Sequence, residues 1–171
     1  DHLLPDVTAR GRAAKRREWQ HLIGQLDRID PARLSRDTQV DRAVLRNELA
    51  YRIWADQALQ EWAWNPMVYN DIAGGALYTL AARDFAPWPQ RLKAATARME
   101  AIPALLAESR RQLVPARVPK VHAETVARQN AGVVEIAQDM LAPHADTLNG
   151  ADRARFDKAL AGLKTAVAGH Q

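Results

Sequence analysis

Histidines and carboxylates are where metal or acid–base chemistry would first show. His2, His21, His122, His144 and His170 are scattered along 171 residues. No His-Glu-x-x-His occurs, so the i, i+4 pair that presents two imidazoles to one zinc from a helix face is missing. Glu18-Trp19-Gln20-His21 has the Glu-x-x-His spacing of carboxylate-bridged di-metal bundles, but such a site needs that motif twice, and one copy is present. His122-Ala123-Glu124 matches the opening of a zinc-deaminase signature whose metal also requires cysteines, and the chain has none. The same absence removes disulfides, thiolate zinc sites and cysteine nucleophiles, and leaves the redox compartment open. Ser35 and Ser109 are the only serines, and neither lies in a Gly-x-Ser-x-Gly turn. Gly74-Gly75 is followed by no Lys-Ser/Thr, so it is no phosphate loop and reads instead as a pair permitting close helix packing. Carboxylate pairs such as Glu48 with Asp56, or Glu61 with Asp71, are too ordinary in a helical chain to mark acid–base catalysis. The residue types therefore assign no catalytic, cofactor or metal site within this chain.

Aromatic crowding is the distinctive feature. Eight of the ten Phe, Trp and Tyr residues lie between Tyr51 and Trp88. Large rings with polar tips suit a packed core, and they also suit the wall of a cleft or a face that docks on another domain. Trp62 and Trp64 are two apart and cannot share one helix face, so at least one points away from the bundle centre. Trp62, Trp64, Tyr69, Tyr78, Arg83 and Trp88 are the candidate cleft or docking residues. Arg83 beside Asp84 reads as a structural ion pair or cap near a helix end, with a substrate-facing Arg as the sharper alternative.

The elements that must position these side chains are helices. Ala (33) and Leu (18) outnumber Val, Ile and Thr (24 together), a balance that favours helix because β-branched residues lose more rotamer freedom there. Trp19, Leu22, Ile23 and Leu26 fall at i, i+3, i+4 and i+7, predicting a first helix from about Thr8 to Ile29, broken at Asp30-Pro31. Ser35 or Asp37 caps a long second helix reaching about Trp62, and Asn65-Pro66 ends it. A third helix runs from Asp71 to about Arg83. A fourth carries Leu92, Ala95, Met99, Ile102, Leu106 and Leu113, with a kink and not a stop at Pro103. Val114 to Pro119 is an extended connector. A fifth helix covers about Val121 to Leu141 and a sixth about Ala151 to Ala168. The expectation is all-α: one helical unit, residues 1–171, bundling about six helices.

Charged residues make up 26% and hydrophobic ones 47%, ordinary for a folded domain, and no apolar run is long enough for a membrane span. Lys plus Arg exceed Asp plus Glu by 24 to 20, with 19 of the 24 being Arg. Arg10, Arg12, Lys15, Arg16 and Arg17 form the one dense basic cluster, but on a helix they fan around the circumference instead of making one stripe. The cluster reads as a solvated first helix, and no nucleic-acid partner is expected. The chain opens on Asp1-His2-Leu3 without Met or an apolar leader, so any signal peptide is expected to have been removed or left out.

Trp62-Ala63-Trp64-Asn65-Pro66-Met67-Val68-Tyr69 is followed by Tyr78-Thr79-Leu80-Ala81-Ala82-Arg83-Asp84-Phe85-Ala86-Pro87, Arg91-Leu92 and Arg98-Met99-Glu100-Ala101-Ile102-Pro103. In this order and spacing they resemble the amino-terminal half of the bacterial family named domain of unknown function 885. The resemblance extends from Leu3-Leu4-Pro5-Asp6-Val7 to about Gly132. It implies zincin-like metallopeptidase relatives, largely helical, often exported or lipid-anchored, and hence a periplasmic or secreted location. The family's zinc-binding His-Glu helix would lie beyond this chain, so no metal ligand or catalytic glutamate is carried to any position here. The resemblance implies a non-catalytic helical portion that packs on the remainder of its own polypeptide or self-associates. Zinc and a peptide substrate would belong to the full-length protein. The alternative is a self-contained helical interaction module.

Overall fold

The computed structural model describes residues 2–170; Asp1 and Gln171 lie outside them. Among the described residues there are no strands, and six helices have ten or more residues: α1 (Ala9–Asp27), α2 (Arg36–Trp54), α4 (Met67–Ala82), α5 (Trp88–Gln112), α6 (Lys120–Gln129) and α8 (Gly150–Ala168). Two single-turn helices, α3 (Glu61–Trp64) and α7 (Ala131–Glu135), complete the set. The all-α expectation of six main helices holds. The contacts divide the chain into two compact bodies, Asp6–Glu61 and Trp62 onward, the latter joined by the residues before Asp6.

The first body is the α1–α2 hairpin. Thr8 caps α1 by accepting from the Gly11 amide at 3.0 Å, and Asp6 in turn accepts from the Thr8 amide and hydroxyl. A Cβ at position 11 would lie 2.3 Å from the Asp6 carbonyl oxygen, so this tight cap requires Gly. Asp30 and Ser35 cap the two segments that reverse the chain. Arg42 Nε donates to the Leu26 carbonyl at 2.8 Å, Arg46 binds Asp27, and Arg12 and Arg16 both reach Asp56. Three members of the basic cluster are thus engaged with carboxylates, Lys15 on Glu18 being the third. Burial is sparse: α1 has no buried residue and α2 has Leu49 alone. Val44, Leu45, Tyr51 and Trp54 are all exposed.

The second helix does not reach Trp62. After Trp54 the backbone widens into a π-type turn over Ala55–Leu59, and Gln60 enters the left-handed region at φ 54°, its amide on the Ala55 carbonyl. Gln60 ends the helix without the Gly that usually does so.

The second body is built around α5. Leu92, Ala95, Met99, Ile102 and Leu106 make one buried stripe at three- and four-residue steps, and α5 continues through Pro103. Tyr69 and Leu77 of α4 and Phe156 and Leu163 of α8 fill the same core. At the surface, Arg155 of α8 grips Glu100 of α5 with two hydrogen bonds of 2.8 and 2.6 Å, and Lys93 meets Asp152 at 2.9 Å. The fourth expected helix is therefore α5, which carries the expected stripe up to Leu106, with Leu113 at its C-cap. The third starts four residues early, because the Asn65 side chain accepts from the Met67 amide and Pro66 sits at the N-cap. The fifth is divided at Asn130 and continues as a π-type segment, Ile136–Leu141.

Candidate functional site

Two helical stripes face each other across a surface groove of about 670 Å³. From α4 come Asn70, Asp71, Gly74, Gly75 and Tyr78, four residues apart along one side. Opposite stand Val133, Glu135, Ile136, Asp139 and Met140, from α7 and the π-type segment after it. A methyl at Gly74 would meet Ile136 Cδ1 at 3.8 Å and Val133 Cγ2 at 3.9 Å, while one at Gly75 would meet nothing. The glycine pair therefore does not serve close helix packing, as the sequence suggested. The missing side chains leave the groove open. Its floor is apolar, and Asp71, Glu135 and Asp139 are exposed carboxylates with no cationic partner among the described residues. No Lys or Arg lines it. Such a groove favours an amphipathic, positively charged occupant, and it holds no nucleophile–base pair.

The six residues singled out from the sequence do not form one surface. Tyr78 is 52% exposed on the groove rim. Tyr69 is 1% exposed in the core, its hydroxyl donating to the Trp62 carbonyl at 2.7 Å. Trp62 and Trp64 are half-buried on α3, and Trp64 tilts against His122 with ring centroids 5.6 Å apart. Arg83 is exposed beyond the end of α4, in a small depression with Phe85 and Arg98. Trp88 is half-buried at the start of α5.

Trp88 leads to a residue that sequence reasoning passed over. Arg91 is 3% exposed; its Nε donates to the Leu80 carbonyl at 2.8 Å and its Nη2 to the Ala81 carbonyl at 2.6 Å. Its guanidinium lies 3.7 Å from the centre of the Trp88 ring, which also stacks on His144 at 3.5 Å. Arg91 thus caps α4 from a neighbouring helix, satisfying carbonyls that a helix end leaves open. Asp84 pairs with this residue at 3.5 Å and not with Arg83; its side chain is fully exposed, so the pair contributes little.

A zinc ion of the kind the family resemblance implies does not fit these residues. Among the described residues no three His, Asp or Glu side chains are grouped to hold a metal. His144 is stacked on Trp88, His122 lies beside Trp64, and His170 is held near Ser109, with burial and then Arg110 lowering its pKa.

Comparison with known proteins places the chain in a longer molecule's frame. A solved structure described as "a putative lipoprotein of unknown function from Shewanella oneidensis" superposes with a TM-score of 0.87 at 26% identity, covering 98% of this chain and 30% of that one. The chain thus spans under a third of that relative's length. No curated protein matches. No helix among the described residues is long and apolar enough to cross a membrane. The family model "Bacterial protein of unknown function (DUF885)" matches residues 1–171 throughout, and the chain belongs to that family.

Proposed function

We propose that this chain is the non-catalytic, helical amino-terminal portion of an exported, zinc-dependent peptidase-like protein, and that it forms one wall of a cleft whose reactive centre lies in the rest of the polypeptide. The observation that carries the reading is the coverage: nearly all of this chain superposes on less than a third of a longer, lipoprotein-described relative. The sparse core of the α1–α2 hairpin and its exposed Val44, Leu45, Tyr51 and Trp54 agree with a body that has further polypeptide to meet. The groove beside Tyr78 supplies a concave, acidic face suited to an extended, basic peptide.

The test is peptide hydrolysis by the full-length polypeptide, with and without a zinc chelator, beside the 171-residue chain alone. Chelator-sensitive cleavage by the full-length protein and none by the shorter chain is the expected result. Cleavage by the 171 residues alone, or a full-length protein that cleaves nothing with zinc supplied, overturns the proposal.

A further inference from the structure

A second cavity, about 580 Å³, is lined by residues of α6, the end of α5, the Pro115–Arg117 turn and His170, two residues beyond α8. Leu113, Val118 and Val126 make it apolar, and no Asp or Glu lines it. Three polar groups, Asn130, His170 and Arg110, line it.

Asn130 is 1% exposed. Its Nδ2 donates to the Val167 carbonyl at 3.1 Å, which fixes the amide's orientation, and its Oδ1 is buried without a partner. Ser109 Oγ donates its hydrogen to the Leu106 carbonyl at 2.8 Å, so it can only accept from His170 Nε2, 3.5 Å away. That arrangement puts the imidazole hydrogen on Nε2 and leaves a lone pair on Nδ1, which is also buried and unpartnered. The third group is the Arg110 guanidinium. Its Nη1 is held by the Gly169 carbonyl at 2.8 Å, and no carboxylate pairs with it among the described residues. Unsatisfied buried acceptors cost stability and are rare without a reason.

Two acceptors seeking N–H donors, a cation seeking an anion, and apolar walls between them define a ligand by its chemistry. We propose that this cavity binds an N-acyl apolar α-amino carboxylate: the carboxylate at Arg110, the amide N–H toward Asn130 Oδ1 or His170 Nδ1, the side chain against Leu113, Val118 and Val126. A peptide carboxyl terminus and a free N-acyl amino acid share this chemistry. The site does not depend on the peptidase reading, because it lies wholly within the α3–α8 body and asks for no reaction.

The experiment is calorimetric titration of the full-length polypeptide with N-acetyl-leucine, with N-acetyl-Ala-Ala-Leu, and with the carboxamide of each. Saturable binding of a carboxylate probe, weakened at least about tenfold by the carboxamide and by Arg110→Gln, is the expected result. Val118→Trp, which fills the cavity from a half-buried wall, should abolish binding. Equal affinity for both probes assigns the single residue, and tighter tripeptide binding assigns the peptide terminus; either supports the site. Binding that Arg110→Gln and Val118→Trp leave unchanged overturns it. So does the absence of saturation up to about 1 mM, or a crystal soaked in either probe that shows only a water on Asn130. None of these outcomes touches the chelator experiment, so the two proposals fail separately.

Discussion

Replacing Arg91 tests whether a buried guanidinium closes the end of α4. Arg91→Met keeps most of the stem's apolar volume and removes the head group. Two hydrogen bonds from a charged donor, to Leu80 at 2.8 Å and Ala81 at 2.6 Å, would be lost, each worth about 1.5–3 kcal/mol. Loss of the cation over Trp88 adds about 0.5–2 kcal/mol. These contributions share one group and do not add fully, so the expected loss is about 3–5 kcal/mol, a large part of the roughly 5–15 kcal/mol that holds a domain together. Arg91→Lys reaches one carbonyl at a time and should lose about half as much. Asp84→Asn removes only a fully exposed partner at 3.5 Å and should stay within about 0.5 kcal/mol of the unaltered protein. Urea denaturation followed by circular dichroism reads all three. A loss below about 1 kcal/mol in Arg91→Met, or an equal loss in Asp84→Asn, would refute the capping argument.

Three further outcomes follow from particular atoms. Gly75→Ala adds a methyl that meets nothing and removes backbone freedom from the unfolded chain, so the urea midpoint should rise by about 0.4–1 kcal/mol of stability; a fall would mean the groove floor cannot accept a side chain. Gly11→Ala drives a methyl to 2.3 Å from the Asp6 backbone, and should cost about 1–3 kcal/mol with loss of amide-exchange protection at the start of α1. His170 has a folded pKa below its ordinary 6.5, first through burial and then through Arg110. Below pH 6.5 the unfolded chain therefore binds the extra proton, so stability should fall as pH drops through that value and level off beneath the folded pKa. His170→Gln should flatten that limb; an unchanged pH profile would show that the ring titrates as it does in the unfolded chain.

The parts legible in the sequence are those written in local chemistry. Thr8 and Ser35 are good caps before periodic apolar stripes, and α1, α2, α5 and α8 begin within about a residue or two of where those signals put them. The end of α2 was hidden, because Gln60 adopts a left-handed backbone that neither Gly nor Asn announces. Asn65-Pro66 signals a stop in the sequence, although the same dipeptide also starts α4. The groove was hidden for another reason: it depends on two stripes some sixty residues apart meeting across a gap, and no local spacing encodes that. Arg91 had a signal. It falls four residues before Ala95 on the buried stripe of α5, just after a helix that ends without Gly, and an Arg on an apolar stripe near an uncapped helix end is a candidate for its carbonyls.

The arginines themselves form a pattern that explains the basic charge. Arg42 donates to Leu26 at the end of α1, Arg91 to Leu80 and Ala81 at the end of α4, and Arg110 to Gly169 just past α8. In each case the helix carrying the arginine is not the one it closes. A helix C-terminus offers several unpaired carbonyls and a partial negative charge, and a planar guanidinium can meet two of them from a fixed distance. Lysine, with one compact head, cannot, and only 5 of the 24 basic residues are Lys. The high isoelectric point of about 9.8 is thus spent in part on joining helix to helix. On that account a nucleic-acid surface is not needed to explain the composition. It follows that changing Arg42, Arg91 and Arg110 to Lys, which preserves every charge, should weaken the fold at three separate helix ends.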